Sequence, residues 1–136
     1  MRIYKTKWLA RFARRERISD RCLRDAALRA ERGLIDADLG GGVIKQRVAR
    51  AGQGRSGGYR MLLAFRSGDR AVFLYGFPKS AKDNIEPDEL LTLREIAAAW
   101  LSADAARMAR AVTEHALEEV ADAEDDEAQR PDRSAP

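Results

Sequence analysis

The chain is poor in the residue types that carry most acid–base and redox chemistry. Its 136 residues include one cysteine, Cys22, and one histidine, His115. A single thiol forms no internal disulfide, which suits a reducing compartment, so a cytoplasmic protein is expected. One Cys and one His cannot build a zinc site of the usual kind, and no metal or other cofactor is expected. No stretch approaches the roughly 18 consecutive apolar residues of a membrane span. The opening MRIYKTKWLARFARRERIS is broken by charge too often for a signal-peptide apolar region, so neither export nor a membrane partner is expected. Acid is scarce where it would matter most. Between Leu39 and Lys82 there is no Glu and one Asp, Asp69, against Lys45, Arg47, Arg50, Arg55, Arg60, Arg66, Arg70, Lys79 and Lys82.

That imbalance divides the chain. Residues 1–82 hold 20 Lys+Arg against 7 Asp+Glu, a formal +13, and residues 83–136 hold 5 against 15, a formal −10. The net +3 therefore hides a basic body and an acidic C-terminal part. Such asymmetry points to a polyanion, nucleic acid being the commonest, with counterion release and a steep salt dependence. The plainer reading of a basic run is a solvated face, and charge alone names no reaction.

Periodicity supplies the elements. Arg2–Lys5 has the composition of a short strand. From Thr6 to about Arg15, Trp8, Leu9, Phe12 and Ala13 fall on one helical face, so Trp8 and Phe12 are expected in the core. Ser19 is a good N-cap for a second helix with the stripe Leu23, Ala26, Ala27 and Ala30, ended by Gly33. Val43–Arg50 reads as a strand with Lys45 and Arg47 on one face. Ala51–Gly58 is a flexible turn. Tyr59–Arg66 and Arg70–Phe77 form a hairpin around Ser67-Gly68-Asp69, with Arg66 and Arg70 as solvated residues flanking its turn. Alternation sets Phe73, Tyr75 and Phe77 together, the first two as core. Pro87 with Asp88 and Glu89 opens a helix whose apolar face runs from Leu90 to Leu101, and another helix spans about Ala103 to Val112. His115 is expected to be an exposed polar residue. Residues 121–136 are expected to be a disordered acidic tail behind a folded domain of residues 1–120. The class is α+β: a small antiparallel sheet in the order β-α-α-β-β-β packed against helices, followed by C-terminal helices.

With GGVIKQRVARAGQGRSGGYRMLLAFRSGDRAVFLYGFPKSAKDNI at its centre, the chain resembles the RelE/ParE superfamily of bacterial toxins from type II toxin–antitoxin pairs, and most of all its HigB-like branch. The matching parts are the Gly40–Gly42 loop, the strand carrying Lys45 and Arg47, the turn Gln53–Gly58, Gly57-Gly58-Tyr59-Arg60, and Phe77-Pro78-Lys79-Ser80 before Lys82-Asp83. The upstream ARFARRERISD and ERGLIDADLGGG match as well, so the resemblance spans residues 4–101. It implies a ribosome-dependent, metal-independent endoribonuclease that cuts mRNA in the decoding site. Its partners would be the ribosome, mRNA and a cognate antitoxin, expected to be a helix-turn-helix DNA-binding protein.

A histidine-free sheet lacks the usual imidazole pair, so Lys and Arg would act mainly by orientation and electrostatic stabilisation. A Lys crowded by other cations can also lose its proton more readily and serve as base. On that reading Lys45 and Arg47 lie beneath the scissile phosphate, and Arg55 and Arg60 clamp it through bidentate guanidinium contacts. Lys79 reaches the leaving group. Arg50 and Lys82 hold RNA, and Tyr59 or Phe77 stacks on a base. The alternative is a non-catalytic RNA-binding protein, or a toxin relative with another target such as gyrase. The acidic tail would either fold back over the basic sheet or serve solubility alone.

Overall fold

The computed structural model describes residues 1–49, 58–81 and 85–121. Among these the chain forms β1 (Arg2–Thr6), α1 (Lys7–Glu16), α2 (Asp20–Glu31), β2 (Ala37–Gly40), β3 (Val43–Val48), β4 (Tyr59–Arg66), β5 (Arg70–Pro78), α3 (Pro87–Ser102), α4 (Ala105–Thr113) and β6 (Leu117–Glu119). The six strands make one sheet in the order β2-β3-β4-β5-β1-β6. All pairings are antiparallel except β1 with β5, which run parallel. The expected α+β class holds. The sheet gains β2 and β6, strands too short and polar to stand out by pattern, and a parallel pair that no local signal encodes.

Helices cover both faces of the sheet. On one face Leu9, Phe12 and Ala13 of α1 and Leu23, Ala26, Ala27 and Ala30 of α2 pack on Ile44, Val48, Tyr59, Met61, Leu63 and Phe73. On the other, Leu93 and Ala97 of α3 and Met108 and Ala111 of α4 pack on Val43, Leu62, Ala64, Val72, Leu74 and Phe77. Strands buried on both faces read as apolar runs such as MLLAF and AVFLY, because neither side is left to water.

Local chemistry sets the helix ends. The Thr6 and Ser19 hydroxyls accept from the N–H groups of Leu9 and Cys22, both at 3.2 Å. Gly33, at φ +86°, closes α2 with the Leu34 N–H bonded back to the Arg29 carbonyl. Pro87 opens α3, and the Glu86 N–H donates to the Glu89 carboxylate at 3.1 Å. His115 ends α4 at φ 63° and is exposed, as expected.

Two departures concern aromatic residues. Trp8 is not core: it is 39% exposed, stacked on Phe12 at 5.3 Å and tilted against Tyr75 at 4.8 Å, because α1 turns only Leu9, Ala10, Phe12 and Ala13 fully inward. The second is a bulge in β5. Leu62 pairs with Tyr75 and Leu63 with Phe73, so Leu74 is an extra residue that inverts the facing of everything after it. Phe73 faces α1 and α2, whereas Phe77 lies on the opposite face. Gly76 takes the inward position, where an added Cβ would come within 2.6 Å of the Met61 sulfur.

Candidate nucleic-acid interface

The bulge aligns three side chains. Arg47 on β3 is opposite Arg60 on β4, and Arg60 is opposite Phe77 on β5, so the three form a row across one face of the sheet. Lys45 follows two residues away, opposite Leu62. Lys79 is exposed just beyond β5, its N–H donating to the Gly58 carbonyl at 3.1 Å. Lys45, Arg47, Arg60 and Lys79 therefore gather at the end of the sheet where β3 finishes and β4 begins. Arg50, Arg55 and Lys82, expected in the same site, lie outside the described residues.

Tyr59 sits elsewhere. It is 1% exposed beneath α1, edge-on to Phe12 at 5.8 Å, with its hydroxyl donating to Glu16 at 2.9 Å. Neither ring face is open to a base. Position 59 alternates with Arg60, so the strand that turns Arg60 to one face turns Tyr59 to the other. Phe77 shares the face of Arg60 but is 4% exposed, a packed floor rather than an open platform.

The two arginines of the row differ in their neutralisation. Asp36, just before β2, accepts from the Arg47 backbone N–H at 2.7 Å and from its guanidinium at 3.3 Å. Burial pushes the Asp36 carboxyl up, but the hydrogen bonds and charge of Arg47, with the charge of Arg29, outweigh this and hold it below the usual range. Arg29, 7% exposed, lies 3.9 Å from Asp36 and donates to the Arg47 carbonyl. Gln46, fully buried, accepts from the Asp36 N–H at 2.8 Å and donates to the carbonyls of Ala26 and Leu34. Asp36, Arg29 and Gln46 thus fix Arg47. None was singled out from the sequence, although a polar residue between Ile44 and Val48 on the inward side of a strand was a usable signal.

Arg60 makes no ion pair among the described residues, and its Nη1 is buried without a hydrogen-bond partner. An unsatisfied charged donor costs about 1–3 kcal/mol or more, and an anion at that point would remove the cost. Beside Arg47 an open depression of about 510 Å³ is lined by Arg29, Gly33, Leu34, Ile35 and Asp36. Two smaller hollows of about 320 and 300 Å³ meet at Tyr75 and Leu93 between α1 and α3. Their walls are apolar or acidic, with Asp88 and Glu89 on one rim, and do not suit phosphate.

Arg66 and Arg70 belong to neither surface. Arg70 donates to the carbonyls of Trp100 at 2.8 Å and Ala103 at 2.7 Å, and Arg66 to that of Leu101 at 2.6 Å and to Asp69. They satisfy the orphan carbonyls at the C-terminus of α3, which has no basic residue in its own last turn. The expected solvated role is corrected for Arg70, whose side chain is 13% exposed.

The family model described as RelE toxin of RelE / RelB toxin-antitoxin system matches residues 1–120. The chain belongs to the RelE toxin family. It is thus a toxin of the type II toxin–antitoxin class, for which an antitoxin partner is implied, and toxins of this family are generally ribonucleases. No curated protein and no solved structure matches the chain. Among the described residues no helix is long and apolar enough to cross a membrane.

Proposed function

We propose that this RelE-family toxin, a member of the HigB-like branch, is a metal-independent endoribonuclease that cuts mRNA on the ribosome in the cytoplasm. A helix-turn-helix antitoxin silences it. The observation that carries the reading is the buried, unpartnered Nη1 of Arg60 in a row with Arg47 and Phe77. A phosphate is the anion this geometry favours, because two guanidinium groups on neighbouring strands can each offer paired donors to its oxygens.

Cleavage then uses the RNA's own 2′-hydroxyl. Its oxygen attacks phosphorus, its proton passes to a nearby amine or to water, and the bond to the 5′-oxygen breaks as that oxygen takes up a proton. A cyclic phosphate and a 5′-hydroxyl result. Arg60 and Arg47 stabilise the charge that grows on the phosphoryl oxygens, Lys45 lies beneath them, and Lys79 faces the leaving group, with Arg55 completing the clamp and Arg50 and Lys82 holding flanking phosphates. Charge stabilisation without a dedicated imidazole makes a slow enzyme on free RNA, so alignment of the 2′-oxygen is assigned to the ribosome.

Inducing the chain without an antitoxin is expected to arrest bacterial growth and to leave transcripts cut only where ribosomes are engaged. Arg60→Ala, folded and expressed equally, is expected to do neither. Rapid cutting of naked RNA would remove the ribosome from the mechanism, and full toxicity of the Arg60 variant would remove this site.

A further inference from the structure

β6 closes the sheet at the edge away from the Arg47–Arg60 row, and the chain leaves it against the first turn of α2. The Val120 carbonyl accepts from Arg24 at 3.3 Å, the Ala121 N–H donates to Asp20 at 3.3 Å, and Glu118 lies 3.5 Å from Arg14. The surroundings of this exit are basic. α1, α2 and their connection expose Lys7, Arg11, Arg14, Arg15, Arg17 and Arg21. The acids of the same region are engaged: Glu16 with Tyr59, Asp20 with Lys5, Asp25 with Arg29, Glu31 with the Gly68 N–H. Among the described residues Lys7, Arg11, Arg17 and Arg21 make no ion pair. The chain that departs here reads DAEDDE over residues 122–127, five acids and no base.

We propose that the acidic segment 122–127 is an intramolecular ligand of the α1–α2 basic face, centred on Arg17 and Arg21, and shields that face from other polyanions. Reach decides between this face and the sheet. At no more than about 3.6 Å per residue, six residues extend about 20 Å from Ala121. Arg17 and Arg21 flank Asp20, which Ala121 already touches. Arg60 is three strands across, about 14 Å at the usual strand spacing, and about 15 Å further along the sheet, since Glu119 is level with Tyr4 and Val72 whereas Arg60 is level with Phe77. The straight line is about 20 Å through the packed interior. A path over the surface to the opposite face is longer than these acids can span. Exposed ion pairs are individually weak and ordering a chain is costly, so the contact is a shifting set of pairs. The tether sustains it by high local concentration, and salt screens it.

The test uses the full chain carrying Cys22→Ser and Ala128→Cys, with a nitroxide on the thiol at 128. Relaxation enhancement of the amides of residues 15–24 is expected to be at least twofold larger in 20 mM than in 500 mM NaCl. The excess should vanish in Arg17→Gln/Arg21→Gln, and also when Asp122, Asp125 and Asp126 become Asn and Glu124 and Glu127 become Gln. Tethering alone gives enhancement that salt and these changes leave alone, and that result overturns the proposal. So does enhancement that appears instead at residues 45–47 and 60–62. No RNA is present, so the outcome is independent of whether the chain cuts mRNA.

Discussion

Two arginine pairs face each other across this sheet, on the same side: Arg66 opposite Arg70 between β4 and β5, and Arg47 opposite Arg60 between β3 and β4. Like charges in directly opposed positions repel, so each pair must be neutralised or left at a cost. At the first pair the fold supplies everything. Asp69 and three carbonyls of the α3 terminus take up both guanidinium groups, and the Asp69 carboxyl is held below its usual range chiefly by its hydrogen bond from Arg66. At the second, Asp36 holds Arg47 while the inner Nη1 of Arg60 stays unmet. A basic residue in a sequence is thus a candidate ligand only until the fold uses its donors. One pair is spent as helix caps, and the other retains capacity for an anion.

The sharpest way to break this contrast is Arg60→Met, which keeps most of the side-chain volume. Ribosome-dependent cleavage is expected to fall about a hundredfold or more, as for loss of one electrostatic donor in a catalytic site. Stability in urea is expected to stay level or rise, because a buried unsatisfied donor is removed. Cleavage at the wild-type rate, or a large loss of stability, would erase the distinction between the pairs.

Arg70→Met should show the reverse. Losing charged hydrogen bonds to the Trp100 and Ala103 carbonyls is expected to lower unfolding free energy by about 2 kcal/mol. Cleavage per folded molecule should be unchanged. A variant that melts normally yet cuts poorly would return Arg70 to the interface.

The smallest effect tests how Arg47 is held. The Asp36 carboxyl is depressed in the folded chain, so its contribution to stability is present above the unfolded value near pH 4 and is lost as pH falls through the lower folded value. Urea unfolding followed from pH 6 to pH 3 should show this acid-side component in the wild type and a shallower fall in Asp36→Asn. Identical pH profiles would mean that Arg47 is positioned by the Arg29 contact to its carbonyl alone.

Much of this was legible in the sequence, for physical reasons that differ by residue. Helix boundaries were readable because caps are local: Ser19, Gly33 and Pro87 act on their own turns. Lys45 and Arg47 share a face because a strand alternates, whatever its neighbours. The same rule misplaced the aromatics of β5, since one extra residue at Leu74 reverses the alternation and pairing register is not encoded in the strand itself. Tyr59 was expected at the surface because its strand is apolar on both sides and offers no alternation to assign it.

The class, the α1–α2 unit, the hairpin and the concentration of positive charge between Lys45 and Lys82 could all be read from the residues in order. Those properties rest on composition and near-neighbour geometry. Which arginines are available depends on contacts between distant segments. Arg70 is occupied because the α3 terminus, thirty residues later, arrives with unsatisfied carbonyls. Arg60 is not, because Asp36 pairs with its neighbour on the adjoining strand. Asp36 comes close to Arg47 through the β2–β3 hairpin, whose turn needs glycine at position 42 because its φ of +85° lies in the left-handed region. Charge is a property of the residue, but its availability depends on partners brought from distant parts of the chain.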